Sequence, residues 1–332
     1  MSKRRTSWWA SGVIMLALLA FLDGGLRLWH PLPSRLPENF SAAYLSRVLG
    51  DLPRSRGIVV LAGDSAVWGY HVSKQESLGA RLAALLVHDQ VLNVSIQGGS
   101  PVNTYVALTE VLRRGIHPRL VIFNLNLKEF SPEDRSYQRI LPALAPAAHQ
   151  LSAADRRDFL FQEDHQTRLA RAVERIWLLY RYRDDIRQAV FGDADLASRL
   201  ASAAAALSGR AEREAERNAP TADKYFGAYD LSPLATDNTS LRYTRETLAL
   251  LRSHNIPTLV YLTPTNHGLL HDTIDAPEYD ANLKELMAVV RSYGMRAYNF
   301  DRSFPQNAFI DNDHLRAPGL SQLARQLAAL AV

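Results

Sequence analysis

The chain has no cysteine among its 332 residues, and this absence excludes disulfide bonds, thiolate zinc sites and cysteine nucleophiles. It also excludes a lipoprotein anchor, because that modification requires a cysteine. The absence is compatible with an oxidising compartment but does not by itself assign a location. Covalent catalysis, if the protein performs it, therefore has to use another side chain.

Lysine is also scarce, since only five of the 38 basic residues are lysines. The 34 acidic residues leave a net charge of +4, and this small surplus is spread along the chain. It gives weak support for nucleic-acid binding, so no nucleic-acid partner is expected. The composition is 47% hydrophobic and 22% charged, which is typical of a chain that buries a core of one large domain or two smaller ones.

Long hydrophobic runs are absent except at the amino terminus. There, Lys3-Arg4-Arg5 precedes an uncharged run from Trp8 to Leu22, and the apolar character resumes up to Trp29. A basic flank, an apolar run and tryptophans at both ends favour a retained signal-anchor helix over residues 1–30. We expect a single-pass protein of the inner membrane, with the rest of the chain in the periplasm or at the cell exterior. A cleaved signal peptide and a buried core helix remain alternatives.

The rest of the chain alternates short β-branched runs with amphipathic helical segments. This alternation predicts an α/β fold with a doubly wound parallel sheet. The predicted strands are 58–62, 91–96, 120–123, 258–263 and 296–300. We predict one domain from residues 57–127 and 241–332, preceded by a lead-in segment at 31–56 and interrupted by a helical insertion at 128–240.

The first predicted strand runs directly into Gly63-Asp64-Ser65. The carboxyl edge of a parallel sheet is where ligands bind in open α/β folds, so Ser65 is a candidate nucleophile. The alternative is that Asp64-Ser65 only caps the next helix, because both residue types are favoured N-caps.

A serine nucleophile needs a base, a carboxylate that orients the base, and donors for the oxyanion. Asp311 and His314 lie three positions apart, so on one helical turn they would share a face, whereas the adjacent Asp313 would point elsewhere. The predicted oxyanion donors are the backbone N–H groups of Ser65 and Gly98 and the side-chain amide of Asn126.

These residues resemble the SGNH (GDSL-type) hydrolases, which have a flavodoxin-like three-layer α/β/α sandwich. The four matching segments are Gly63-Asp64-Ser65, Asn93 to Gly98, Asn124 to Leu127, and Asp311 to His314. In the third segment, Asn124 replaces the usual glycine and Leu127 the usual aspartate, while Asn126 remains. The resemblance implies a Ser65–His314–Asp311 triad with Ser65, Gly98 and Asn126 at the oxyanion, and no cofactor.

With its apolar amino terminus and predicted insertion, the chain is also similar to envelope SGNH proteins of polymer O-acylation, such as alginate acetylation proteins and the D-alanine-transfer protein. That similarity implies a membrane-anchored serine esterase or O-acyltransferase acting on an acylated cell-surface polymer, with a membrane-bound O-acyltransferase as partner. Two alternatives stay open: a non-catalytic scaffold or polymer-binding component of an acylation complex, and a secreted lipase-like esterase.

Other polar or aromatic groups have weaker signals. Aromatic residues after the nucleophile could line an acyl pocket, and a histidine-rich stretch after the fourth strand has spacing that a metal could use, although a polar loop explains it as well. The arginine-rich segment 168–187 could face lipid or an anionic polymer, or be a solvated helix face. Lys128-Glu129 is expected to form a surface pair. The aromatic group is Trp68, Tyr70 and His71, and the histidine-rich group is His267, His271, Asp272 and Asp275.

Overall fold

The computed structural model describes residues 6–29, 45, 48–50, 57–131, 139–159 and 231–331, together with several single residues and short runs between 169 and 229. The chain divides into two compact units. One contains residues 1–33 and 162–200, and the other contains residues 34–161 and 201–332.

The second unit is built on a five-stranded sheet in which every pair of neighbouring strands is parallel. The strand order is β2-β1-β3-β4-β5, so β1 and β3 are central and the order reverses beside β1. The strands are β1 (Gly57–Ala62), β2 (Asp89–Asn93), β3 (Leu120–Leu125), β4 (Thr258–Leu262) and β5 (Arg296–Asn299). The predicted flavodoxin-like parallel α/β fold is confirmed, and the reversal brings the ends of β1 and β3 together.

Helices of the second unit cover both faces of this sheet. The helices in chain order are α1 (Thr6–Trp29), α2 (Ser65–Trp68), α3 (Leu78–Leu85), α4 (Pro101–Arg113), α5 (Ala153–Phe159), α6 (Leu178–Arg181), α7 (Thr239–Ser253), α8 (His267–Ile274), α9 (Pro277–Ser292) and α10 (Ala317–Leu330). Short 3₁₀ segments span Lys74–Glu76, Leu127–Phe130, Pro142–Gln150 and Gln306–Ala308.

The alternation of side chains along the strands produces two apolar layers. Val60 and Phe123 point to the layer that contains residues of α4, α7 and α9. Leu61 and Ile122 point to the opposite layer, which contains residues of α3 and α10. Since central strands of a parallel sheet are buried on both faces, this packing explains their uninterrupted apolar sequence.

Helix α1 belongs to the first unit. Its segment Trp9–Leu28 has 20 residues with a mean hydropathy of 1.7, which is long and apolar enough to cross a membrane and equally fits a signal sequence. Near its end, Asp23 accepts hydrogen bonds from Arg27 at 2.9 Å and from the backbone N–H of Leu179 at 2.9 Å. Leu26 and Leu178 are buried together beside these polar contacts.

The sequence pattern does not predict helix α8, because the polar stretch after the fourth strand favours a loop. Asn266 caps it by accepting from the backbone N–H of Leu269 at 3.2 Å. Most of the predicted lead-in segment and most of the predicted insertion lie outside the described residues, so their bounds stay predictions. The described stretch 139–159 contributes Ile140, Leu144 and Phe159 to the same apolar layer as α4 and α7.

Candidate active site

The turn after β1 brings Ser65 to the carboxyl edge of the sheet. Gly63 has a φ of +137°, a conformation that side-chain-bearing residues rarely adopt, and Asp64 then caps α2 by accepting from the backbone N–H of Ala66 at 2.9 Å. The capping interpretation therefore holds for Asp64. Ser65 is the first helical residue, and its hydroxyl makes a different contact.

That contact is with His314, whose Nε2 lies 2.9 Å from Ser65 Oγ. The other ring nitrogen, Nδ1, lies 2.8 Å from Asp311 Oδ2 and 2.9 Å from Oδ1. Because a carboxylate faces Nδ1, we assign the ring proton to that nitrogen, which leaves Nε2 to accept the serine proton. The structure thus brings together the three residues that the sequence selected, from positions 65, 311 and 314 of the chain.

Asp311 and His314 lie in a loop rather than on the expected helical turn. An antiparallel bridge between Phe309 and Leu315 closes the loop, and the backbone N–H of Ile310 donates to the His314 carbonyl at 2.8 Å. Asp311 Oδ1 also accepts from the backbone N–H of His314 at 2.9 Å. The loop gives the same proximity as a helical turn would, because the carboxylate folds back over the three residues that follow it.

The electrostatics of this pair favour an ionised acid and a basic imidazole. Burial opposes the charge on Asp311, but hydrogen bonds from His314 lower the pKa of this carboxyl to about 2. Burial also opposes the charge on His314, yet Asp313 and Asp311 outweigh it and raise the pKa of the imidazole above its usual value. The imidazole is therefore a stronger base than a histidine in water.

The prediction that Asp313 points away from His314 is wrong. Its Oδ1 lies 3.1 Å from His314 Nδ1, and its Oδ2 forms an ion pair with Lys128. Burial opposes the charge on Asp313, whereas Lys128 and His314 lower the pKa of its carboxyl. The loop folds so tightly that neighbouring carboxylates converge on one ring nitrogen.

The expected surface pair at Lys128-Glu129 is also wrong, because only 8% of Lys128 and 4% of Glu129 are exposed. Both residues lie in the 3₁₀ segment after β3, which turns them toward the interior of the sheet edge rather than toward solvent. Burial and the nearby charge of Asp64 raise the pKa of Glu129 well above its usual value, and the Lys128 charge only partly opposes them.

Amides from the end of β3 hold Asp64. Asn124 Nδ2 donates to Asp64 Oδ1 at 2.8 Å and to Thr263 Oγ1 at 2.8 Å, and Asn124 Oδ1 accepts from the Asp64 backbone N–H at 3.3 Å. Asn126 Nδ2 donates to Asp64 Oδ2 at 2.9 Å. Asn124 therefore holds Asp64 in place, and its side chain fits there because Gly63 has no Cβ.

The backbone N–H groups of Ser65 and Gly98 have no acceptor among the residues that the structure describes. Gly98 has a φ of +67° with open space where a Cβ would be, and the adjacent loop is fixed by the N–H of Ile96, which donates to the Gly63 carbonyl at 3.2 Å. Asn126 differs, because its amide nitrogen faces carboxylates of both Asp64 and, at 2.5 Å, Asp313. Its predicted oxyanion role stays a prediction that requires release of one of these bonds.

Aromatic groups border the imidazole. The Tyr70 ring lies 5.2 Å and the His71 ring 5.7 Å from the His314 ring, measured between centroids. His71 Nε2 is also 3.7 Å from Asp311 Oδ2, and side-chain nitrogen and oxygen atoms of His71, Asp311 and His314 lie within 4.8 Å of one another, although both His314 ring nitrogens already face Asp311 and Ser65. In the described part of the chain, this is the group whose spacing a metal ion could use.

The predicted histidine-rich group does not converge. His267 lies 2.7 Å from Asp301 and 3.2 Å from Asp275, while His271 pairs with Asp272 at 3.1 Å on an exposed part of α8. Asp301 also accepts from the Tyr279 hydroxyl at 2.6 Å. These contacts tie α8 and α9 to the loop after β5, which is a structural role.

Sequence reasoning missed the supporting residues Asn124, Lys128, Asp313 and Thr263. Each is a polar residue just after or at the end of a buried apolar strand, or next to the predicted base. A search for every polar residue at the sheet's carboxyl edge would have found the residues after β3 and β4. It would not have shown which of them pair, because partners come from distant parts of the chain.

No protein-family model matches this chain, and no curated protein matches it. Among solved structures, a member of the lipolytic protein G-D-S-L family from Veillonella parvula is similar at 11% identity, over 83% of this chain and 97% of that one, with a TM-score of 0.41. The acetyl xylan esterase AlAXEase is similar at 11% identity, over 83% of this chain and 100% of that one, with a TM-score of 0.40. At these identities no residue role is transferred from either protein to this chain.

Proposed function

We propose that the protein is a serine-dependent acyl-esterase or O-acyltransferase. One observation carries the proposal: Ser65 Oγ lies 2.9 Å from His314 Nε2, while the opposite ring nitrogen lies 2.8 Å from Asp311. This arrangement supplies a nucleophile, a base and the carboxylate that orients the base. It lies at the carboxyl edge of β1, where ligands bind in doubly wound sheets.

The reaction follows from the hydrogen bonds. Ser65 Oγ attacks the carbonyl carbon of an ester while its proton moves to His314 Nε2. The tetrahedral intermediate then expels the alcohol, which takes the proton from Nε2 and leaves the acyl group on Ser65. A second hydroxyl, from water or a sugar, attacks this acyl-enzyme, gives its proton to His314 and restores the Ser65 hydroxyl.

The oxyanion is stabilised by the backbone N–H groups of Ser65 and Gly98 in this proposal. Both lack an acceptor among the described residues, and Ser65 N–H is at the amino end of α2. Asn126 would add a third donor by releasing one of its carboxylate contacts.

We further propose that α1 anchors the protein in the inner membrane, with the basic residues 3–5 on the cytoplasmic side and the catalytic domain in the periplasm or cell exterior. The proposed substrate is an acylated cell-envelope polymer carrying acetyl or a similar small acyl group. A membrane-bound O-acyltransferase is the proposed partner. The length and hydropathy of α1 support the anchor, and the polymer and partner rest on the sequence resemblance.

The test is covalent labelling of the full-length protein in detergent micelles with a fluorophosphonate. Wild type should label, whereas Ser65→Ala should not, and Ser253→Ala, which removes an exposed serine at the end of α7, should label like wild type. Hydrolysis of an aryl acetate should fall by about 10³-fold or more in both Ser65→Ala and His314→Ala. Labelling or turnover that survives Ser65→Ala would refute the catalytic assignment and favour a scaffold.

Hydrolysis and transfer are distinguished by the fate of the acyl group. In the presence of an oligosaccharide acceptor, a transferase yields an acetylated sugar whose amount depends on Ser65. A hydrolase yields acetate alone under the same conditions.

A further inference from the structure

The Asp313 carboxylate is divided between two environments. Asp313 is 1% exposed. Its Oδ2 faces the Lys128 ammonium and accepts a hydrogen bond from the Asn126 amide at 2.5 Å. Its Oδ1 has no hydrogen-bond partner and lies 3.1 Å from His314 Nδ1. One oxygen is therefore held by a cation and an amide, while the other is directed at the imidazole.

A buried carboxylate needs a compensating charge. Lys128, which is only 8% exposed, provides it through its ion pair with Asp313. The imidazole already has a carboxylate partner in Asp311, at 2.8 Å. A second uncompensated negative charge at 3.1 Å would favour the protonated imidazole so strongly that it could no longer accept the Ser65 proton near neutral pH. Lys128 reduces the field of Asp313 without moving it away from the ring.

We propose that Asp313 is a positioning residue that serves as a second carboxylate partner of the His314 imidazole, with Lys128 balancing its charge. The inference rests on the proposed function, since it concerns the base of that reaction. It assigns a task to two buried ionised residues that the Ser65–His314–Asp311 arrangement does not itself require.

Several described groups face His314 besides this pair. Asp311 lies on the same loop, Tyr70 and His71 border the ring from the segment after α2, and Ser65 faces Nε2. Burial, together with the nearby charges of Asp311 and Asp313, raises the pKa of the Tyr225 hydroxyl to about 12. Tyr225 is therefore neutral near neutral pH. The Lys128 charge acts in the opposite direction and lowers the pKa of His314.

Removal of Lys128 and removal of Asp313 should shift the pKa of His314 in opposite directions. Lys128→Met leaves the Asp313 charge unbalanced, so the imidazolium is stabilised, the pKa of His314 rises, and the acidic limb of the kcat/KM profile moves to higher pH. Asp313→Asn leaves the Lys128 charge unbalanced, so the pKa falls and the limb moves to lower pH. The double variant removes both charges and should return the limb to near the wild-type position.

The experiment measures kcat/KM for aryl acetate hydrolysis against pH, with full-length protein in micelles. We expect opposite shifts of about half a pH unit or more in the single variants, a double variant close to wild type, and a near-normal profile for Lys128→Arg. Single variants that shift in the same direction, or not at all, would overturn the proposal. If Lys128→Met does not fold, the comparison of Asp313→Asn with the neutral double variant carries the same test.

A second measurement does not depend on turnover. The His314 imidazole is titrated by NMR with ¹³C-labelled histidine in a Ser65→Ala background, and its signal is assigned by loss in His314→Gln. Opposite pKa shifts in the two charge variants support the inference even if the protein proves inactive, in which case only the proposed function fails. Ser65-dependent turnover together with unshifted titrations would refute the inference and leave the proposed function standing.

Discussion

A methyl group at Gly63 should destabilise the whole sheet edge that carries Ser65. Gly63 has a φ of +137°, and a Cβ placed there would lie 1.9 Å from Asn124 Oδ1 and 3.1 Å from Val67 Cγ2. Asn124 cannot retreat without giving up its bonds to Asp64 and Thr263, which are 2.8 Å each. Gly63→Ala therefore combines backbone strain with broken buried hydrogen bonds.

The magnitude follows from these two costs. Strain at a φ that favours glycine costs about 1–3 kcal/mol. Loss of one or two buried hydrogen bonds of Asn124 adds about 1 kcal/mol each, and more if a partner is left unsatisfied. We expect a loss of about 2–5 kcal/mol, which corresponds to a fall in Tm on the order of 10 °C for a domain of this size.

The assay is thermal unfolding of the full-length protein in micelles, followed by intrinsic fluorescence. Gly115→Ala is the matched control, since Gly115 also has a positive φ, +74°, but has nothing within 4 Å of the added Cβ. It should lose only about 1–2 kcal/mol. Equal losses in the two variants would show that backbone strain alone acts at Gly63, and the role assigned to Asn124 would be wrong.

Three further predictions use the same preparation. Gly98→Ala, with open space around the added Cβ, should unfold like the Gly115 control, yet lose about 100-fold or more in kcat/KM because the methyl group blocks the oxyanion. Folding lowers the pKa of Asp311 from 3.8 to about 2. The ionised carboxylate therefore stabilises the fold above pH 3.8, and this stabilisation is lost as the pH falls to about 2. Relative to Asp311→Asn, wild type should lose about 2 kcal/mol of unfolding free energy over that range. Asp23→Ala removes the acceptor of the Leu179 N–H, 2.9 Å away, so amide exchange over 178–181 should accelerate about tenfold.

The fold was predictable because its signals are local. The apolar β-branched runs Ile58–Ala62 and Leu120–Phe123 are interrupted by helical patterns, and parallel strands follow from that alternation. The proximity of Ser65, Asp311 and His314 was predictable because the serine follows a recognisable pattern at a strand end and the other two a recognisable pattern in a late loop. Helix α8 was missed because its amino-terminal residues carry the polar signature of a loop.

The pairing of buried charges could not be predicted in this way. Lys128 and Asp313 are 185 positions apart, and a lysine next to a glutamate after a strand has the composition of a solvated surface. Only the tertiary fold shows that the end of β3 passes beneath the loop that carries His314. The division of Asn126 between two carboxylates has the same origin, since its neighbours along the chain give no indication of either acceptor.

A polar network joins the segments that carry Ser65 and His314, in a chain that has no disulfide. Asn126, on the strand end of β3, contacts Asp64 at 2.9 Å and Asp313 at 2.5 Å, so one amide joins the turn of the nucleophile to the loop of the base. Apolar packing alone tolerates small shifts, whereas these buried bonds fix distance and direction, because an unmet partner would be left in a low-dielectric interior. These bonds connect the end of β3 to the segments on both sides of the Ser65–His314 contact, so we expect substitution of Asn126 to change kcat for aryl acetate hydrolysis as well as to lower stability.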